Sequence, residues 1–378
     1  MVEKVTYTYK EIRQQPALWS EVWEIIRGKK DEILAFVGDF VNRMDTEVIF
    51  TGAGSSFFIG EIVSPFFQKD TGVSSRAIET TEIVTHPGFY INGNKKTLMI
   101  SFARSGNSPE SVAAINLANK VSSNIKHLII TCNIDGALAK LKGDNIYSII
   151  LPEKANDKSL AMTSSVTSMG IAALLIGRIK YLEKMREEIQ KAATLFESFF
   201  DRYSPVLKNA GNAEYKRAVF LGSGPMKGAA HEAHLKLQEL TDGEIIGKFD
   251  SFMGFRHGPK AVVNDETLLV YFFSNDKYIR KYEYDLVKSI AESSDYAMTI
   301  AISNIPLNGM QFDLKICLDD TAIDDGIWSI TSLVPVQLLA YYKSEALGYN
   351  PDSPSKRGAI HRVVQGVSIY EYEGGRQK

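Results

Sequence analysis

Cysteine is almost missing from this chain. The two it has, Cys132 and Cys317, lie far apart, which excludes a disulfide framework and an all-cysteine metal site. A basic excess is missing too. Forty-three Lys and Arg against 45 Asp and Glu give a formal charge of −2, which argues against a nucleic-acid partner. The opening Met1-Val-Glu-Lys-Val has neither a basic nor an apolar signal region, so a cytoplasmic, reducing setting is expected. Nor is there a clean apolar run of membrane length. Ser159 to Gly177 comes nearest, with 19 residues and no formal charge, yet Ser159, Thr163, Ser164, Ser165, Thr167 and Ser168 crowd its first half. Hydroxyls at that density suit a helix N-terminus, and Ile171 to Ile176 suit a buried core helix, so no membrane partner is expected.

What is present is globular material. The chain of 378 residues, 44% hydrophobic and 23% charged, is long enough for two domains of ordinary size. An internal repeat organises it. Val48-Ile-Phe-Thr-Gly52-Ala-Gly54 returns as Val219-Phe-Leu-Gly222-Ser-Gly224, both glycines displaced by 170. Thr97-Leu-Met-Ile100 matches Thr267-Leu-Leu-Val270 at the same offset, and Leu128 to Asn133 matches Thr299 to Asn304, with Asn shifted by 171. Thr167 to Leu175 parallels Thr331 to Leu339, displaced by 164. Four matches in one order predict two copies of one fold.

In the first copy, strands are expected near residues 47–51, 74–79, 97–102, 126–131 and 146–151, with helix-compatible segments such as Ser111 to Val121 between them. The strand runs are apolar without clean alternation, as in parallel sheets buried on both faces. Each half is therefore expected to be an α/β domain with an open, doubly wound parallel sheet flanked by helices. The expected boundaries are 1–45 for N-terminal helices, 46–195 for the first domain and 196–378 for the second. Pro16 to Met44 reads as two helices that pack on the core or on a second subunit, with Trp19, Trp23 and Ile26, then Ile33, Phe36, Val37 and Phe40, at helical spacing.

Ligands of such sheets sit at the carboxyl ends of strands. There the first copy reads Ser101-Phe-Ala-Arg104-Ser105-Gly106-Asn107-Ser108-Pro109-Glu110. Ser108 suits an N-cap and Pro109 a first helical position, so a helix N-terminus faces whatever the loop holds. Arg104, Ser105, Asn107 and Ser108 offer donors, and Ser55 and Ser56 add hydroxyls from the Gly52-Ala-Gly54 turn. The loop has no P-loop lysine and suits one phosphate monoester; read alone, it is also compatible with a plain surface loop. A dinucleotide fingerprint would need a third glycine at Phe57.

The second copy has Tyr271-Phe-Phe-Ser-Asn-Asp276 in place of the serine loop, and Asp276 would repel phosphate. After Gly224-Pro225, Glu232, Lys236 and Glu239 fall at i, i+4 and i+7, on one helix face. That stripe is either solvated charge or a proton shuttle. His231 and His234 resemble half a metal site that no further Cys, His or acidic pattern completes, so no metal and no cofactor is expected. His257 lies in Phe255-Arg-His-Gly-Pro-Lys260, on a loop that Gly258-Pro259 keeps out of a helix.

Gly52-Ala-Gly-Ser-Ser56 together with Ser101 to Glu110 resembles a sugar isomerase (SIS) domain. Two tandem copies resemble the isomerase half of glucosamine-6-phosphate synthase. With Ala161-Met-Thr-Ser-Ser165, Gly254 to Pro259 and Arg362-Val-Val-Gln-Gly366, nearly the whole chain is similar to the tagatose-6-phosphate ketose/aldose isomerase family, also described as galactosamine-6-phosphate deaminases. The resemblance implies that Ser56, Ser105 and Ser108 hold a sugar phosphate, with Ser55, Arg104, Asn107, Thr163 and Ser164 alongside. Arg104 stands where the synthase has Gln, and Ala103 where it has Ser. It further implies that Glu239 moves the C1–C2 proton beside Lys236, and that His257 opens the sugar ring from a neighbouring subunit of a homo-oligomer, a dimer or tetramer. The synthase takes ammonia from a glutaminase domain, which this sequence does not show, so release of ammonia from a hexosamine 6-phosphate is expected. Plain isomerisation, fructosamine-phosphate deglycation and a non-catalytic sugar-phosphate sensor are the alternatives. Retention of Glu239 and His257, without a helix-turn-helix, weakens the sensor.

Overall fold

The computed structural model describes residues 5–38, 40, 45–318 and 323–374. Among them, ten strands form two parallel sheets. The first contains β1 (Thr46–Gly52), β2 (Ser74–Glu79), β3 (Lys96–Ala103), β4 (Ile125–Thr131) and β5 (Ile146–Ile150), in the order β2-β1-β3-β4-β5. The second contains β6 (Arg217–Gly222), β7 (Ile246–Asp250), β8 (Thr267–Phe272), β9 (Met298–Ser303) and β10 (Leu314–Cys317), in the order β10-β9-β8-β6-β7. Taken from β7, that is the same order. The repeat is one topology used twice.

Helices alternate with these strands. Helices α1 (Tyr7–Gly28) and α2 (Lys30–Val37) precede β1, and α3 (Ser55–Thr71), α4 (Thr80–Thr85), α5 (Pro87–Tyr90) and α6 (Pro109–Val121) separate β1 to β4. Helices α7 (Ser164–Gly177) and α8 (Leu182–Asn212) follow β5. Then α9 (Pro225–Leu240), α10 (Phe252–Phe255) and α11 (Lys277–Ser293) separate β6 to β9, and α12 (Asp325–Thr331) and α13 (Leu333–Ala346) follow β10. The chain forms two compact units: residues 17–157, 164–186 and 360–378 around the first sheet, and residues 1–16, 158–163 and 187–359 around the second.

Burial explains why the central strands lack alternation. Every residue of β1 is buried, because each face of the first sheet carries helices. On one face Ile49, Met99 and Ile129 pack with Ala114 and Ala118 of α6. On the other, Phe50 meets Phe67 of α3 edge-on, with ring centroids 5.3 Å apart. In the second unit, Val219, Leu269 and Ala301 pack with Leu286 and Ile290 of α11. Burying each such aliphatic side chain contributes about 1.5–3 kcal/mol.

One boundary differs from the sequence reading. Helix α1 starts at Tyr7 and carries Pro16 within it, whereas a helix had been expected to begin at Pro16. Proline cannot donate to the carbonyl four residues back, here that of Ile12. Gln15 Nε2 donates to that carbonyl instead, at 2.9 Å, so the helix continues. Residues 41–44, the end of the expected second helix, lie outside the described residues. The hydroxyl-rich candidate span becomes α7, buried from Ser164 to Ile176. Among the described residues, no single helix is long and apolar enough to cross a membrane.

Candidate active site

A sheet of order 2-1-3-4-5 reverses its winding between its first and third strands, and the crevice at their carboxyl ends is where such folds bind ligands. In the first sheet those ends carry the two serine-rich turns. After β1, Gly54 takes φ = +54°, a conformation open to glycine at little cost. Gly52 approaches the next turn so closely that a Cβ there would stand 2.5 Å from the Ser56 backbone. Ser55 and Ser56 therefore open α3 at the sheet edge, both buried. After β3 the chain turns at Gly106, with φ = +65°, and enters α6. Ser108 occupies the N-cap position, but its side chain makes no capping bond. Its hydroxyl is not engaged by the helix it precedes.

The loop is braced from behind. Asn133 Nδ2 donates to Ser105 O at 2.8 Å, Leu138 N to Gly106 O at 3.0 Å, and Ala137 N to Asn107 Oδ1 at 3.0 Å. Asn107 thus holds the loop through its oxygen. Two helix N-termini and four serines meet at one sheet edge, and the positive dipole ends of α3 and α6 favour an anion there. Arg104, buried at 6% exposure, lies in the same loop. Its Nη2 donates to the Arg362 carbonyl at 2.6 Å.

Nearby in this unit, the Asp157 carboxylate accepts from Ser164 N and Ser165 N, both at 3.0 Å, and from Ser165 Oγ at 2.6 Å. That carboxylate caps α7, and Ser164 is held through its backbone. Thr163 belongs to the second unit, where its carbonyl accepts from Gln337 Nε2 at 3.4 Å. Glu11 accepts from the backbone N–H groups of Lys158 and Ser159, ordering the segment before it.

The charged stripe lies on α9 in the second unit, and it is not a solvated face. Glu232 and Lys236 are almost fully buried, while the Glu239 side chain keeps 23% of its surface exposed. Lys236 Nζ stands 2.5 Å from Glu239 Oε2 and 3.4 Å from Glu232 Oε1. Glu239 is in the last turn, which ends in Asp242 and Gly243 at φ +48° and +81°. One buried ammonium therefore orients a carboxylate that still meets solvent, the arrangement a positioned proton acceptor needs. His257 is exposed on the turn after α10. His231 stacks on Phe249 with ring centroids 3.5 Å apart, and His234 Nδ1 contacts the His231 carbonyl. Burial lowers the His234 imidazole to about 4. Among the described residues, no three His, Cys, Asp or Glu side chains gather as a metal site.

The equivalent corner of the second sheet carries a buried carboxyl group of its own. Glu283, fully buried on α11, accepts from Ser274 N at 3.1 Å and from the Ser223 hydroxyl, and burial pushes its carboxyl up to about 7. Asp276 caps α11, accepting from Tyr278 N and Ile279 N.

D-galactosamine-6-phosphate deaminase AgaS from Escherichia coli is 37% identical over 376 residues, covering 97% of this chain and 96% of that protein. The chain belongs to the AgaS family. Within it, residues 44–177 match the SIS domain. The tagatose-6-phosphate ketose/aldose isomerase of E. coli superposes with a TM-score of 0.88 at 34% identity, covering 98% of this chain and 97% of that one. The C-terminal domain of glucosamine-fructose-6-phosphate aminotransferase from Francisella tularensis shares the fold, with a TM-score of 0.77 at 19% identity, over 93% of this chain and 99% of that one.

In this AgaS-family chain, sequence reasoning passed over Asp157 and Glu11. Asp157 lies seven residues before the serine whose N–H it caps, outside the usual N-cap spacing, and Glu11 acts across 147 residues. An acid ahead of a hydroxyl-rich helix start was the available signal for Asp157.

Proposed function

We propose that this chain is an amino-sugar phosphate deaminase and isomerase that converts galactosamine 6-phosphate to tagatose 6-phosphate and ammonia. The observation that carries this reading is the likeness to the E. coli deaminase over 97% of the chain. The named activity of the E. coli isomerase fits the same C1–C2 proton transfer on a sugar phosphate.

In this reading Ser55, Ser56, Ser105 and Ser108 hold the phosphate at the two helix N-termini. His257 assists opening of the pyranose to the free aldehyde. Glu239, oriented by Lys236, removes the C2 proton, and the electrons shift so that the C1 carbonyl oxygen becomes a hydroxyl. Return of a proton to C1 leaves a C2 imine. Water adds to that imine, and ammonia leaves as the C2 ketone forms, which makes the second half of the reaction hydrolytic. A positioned base of this kind contributes on the order of 10²–10⁴-fold, and anchoring the far end of the sugar supplies much of the rest. The buried Lys236–Glu239 contact supports the assignment of the base.

His257 is exposed, and Ile246 and Met253 on nearby elements of its unit are exposed apolar residues. Both features support a homo-oligomer in which a two-fold partner delivers His257 to the sugar. Two free cysteines and a phosphorylated substrate fit the cytoplasm. The test is an ammonia-release assay on galactosamine 6-phosphate, glucosamine 6-phosphate and fructosamine phosphates. Release from the galacto sugar above the others is the expected result; ketose formation without ammonia would leave isomerisation alone.

A further inference from the structure

The carboxyl-terminal segment of the first unit, residues 360–374, has no regular secondary structure and is mostly exposed; Tyr370 keeps 85% of its surface in solvent. Few of its side chains enter the protein. Tyr372 packs against the core around Ile49 and Met99. Arg362 is the polar anchor. Its Nε and Nη2 donate to the Asp157 carbonyl at 2.8 and 2.5 Å, and Nη2 also reaches Asn156 Oδ1 at 2.7 Å. The Arg362 carbonyl, held in place by that grip, accepts from Arg104 of the serine loop. Burial pushes the Cys132 thiol up; Asp157 adds to that rise and Arg104 and Arg362 oppose it, so all three charges lie close to one buried group.

We infer that Arg362 is a positioning residue: it clamps the tail to residues 156–157 so that its carbonyl fixes the Arg104 guanidinium beside the phosphate-binding serines. Three features of the geometry lead here. First, a guanidinium has five donors in a rigid fork, and a bond to one carbonyl sets its plane while leaving other donors to point elsewhere. Second, Arg104 is buried, so without the tail it would lose a partner that solvent cannot replace. Third, Asp157 offers its carbonyl to Arg362 and its carboxylate to the start of α7, so one residue ties the tail to Ser164 and Ser165.

This inference rests on the phosphate-loop reading above. Full-length Arg362→Ala, Arg362→Lys, Arg104→Ala and Arg104→Ala/Arg362→Ala proteins are assayed on galactosamine 6-phosphate, with thermal unfolding midpoints measured in parallel. Arg362→Ala is expected to raise KM about tenfold, the size of a lost charge-assisted hydrogen bond, with kcat within about twofold. Arg362→Lys recovers part of that loss, since an ammonium keeps one bond to the Asp157 carbonyl. The double variant raises KM no further than the more severe single one, because both act through one contact. If Arg362→Ala does not fold, Arg362→Lys carries the KM comparison. An unchanged KM, or effects that multiply independently, overturns the latch. Ser105→Ala/Ser108→Ala separates the two levels. If that variant raises KM and the arginine variants do not, only the latch falls; if it leaves KM unchanged, the phosphate loop falls with it.

Discussion

Lys236 lies between two carboxylates on one helix, its Nζ 2.5 Å from Glu239 and 3.4 Å from Glu232. It is 1% exposed and Glu232 is fully buried, so neither can exchange its partner for water. Removing one member of a buried ion pair costs about 3–5 kcal/mol, because the remaining charge is left uncompensated. Lys236→Ala is therefore expected to lose about that much stability in urea unfolding. Glu239, which still meets solvent, behaves differently: Glu239→Gln keeps its unfolding midpoint close to wild type while turnover falls by two orders of magnitude or more. Equal stability losses in the two variants would contradict this division of roles.

The proposed delivery of His257 by a partner predicts that two inactive proteins complement one another. His257→Ala and Glu239→Gln subunits, mixed under conditions that allow exchange, should regain roughly a quarter of wild-type activity in a simple dimer. Half of the dimers are then mixed, and each has one site with both groups intact. No recovery despite verified exchange places both residues in one chain.

Glu283 gives the fold a pH dependence of known sign. Burial raises its carboxyl from 4.5 to about 7 in the folded protein, so the native state holds this proton more tightly than the unfolded chain. The stabilisation from this group is present below about pH 4.5 and is lost as pH rises through about 7. Glu283→Gln cannot ionise, so its unfolding midpoint should fall less than that of wild type between pH 5 and pH 8. Parallel pH curves for the two proteins would remove Glu283 as the source.

The parts of this architecture that could be read from sequence are those carried by local pattern. Gly52 and Gly222 recur 170 residues apart because each lets the following helix approach where a Cβ would collide. The central strands β1, β3 and β4 were legible as apolar runs because they are buried almost throughout. Helix α1 was misplaced at its start because Pro16 reads as a boundary, and only the side chain of Gln15 shows why it is not. The stripe on α9 had the right spacing, but its burial depends on packing that spacing does not encode. The tail was the least legible element. Arg362 acts on residues 205 and 258 positions away, and nothing local to it marks that reach.

The central claim is that Glu239 transfers a proton between C2 and C1 of a hexosamine 6-phosphate before ammonia leaves. The most direct test follows galactosamine 6-phosphate by NMR in deuterated water, with ammonia measured in the same samples. Because Glu239 meets solvent, the proton it takes from C2 exchanges before return, so wild-type protein should yield tagatose 6-phosphate carrying solvent deuterium at C1, with one ammonia per ketose, and Glu239→Gln should give neither. Ammonia and ketose produced by Glu239→Gln at the wild-type rate would contradict the claim.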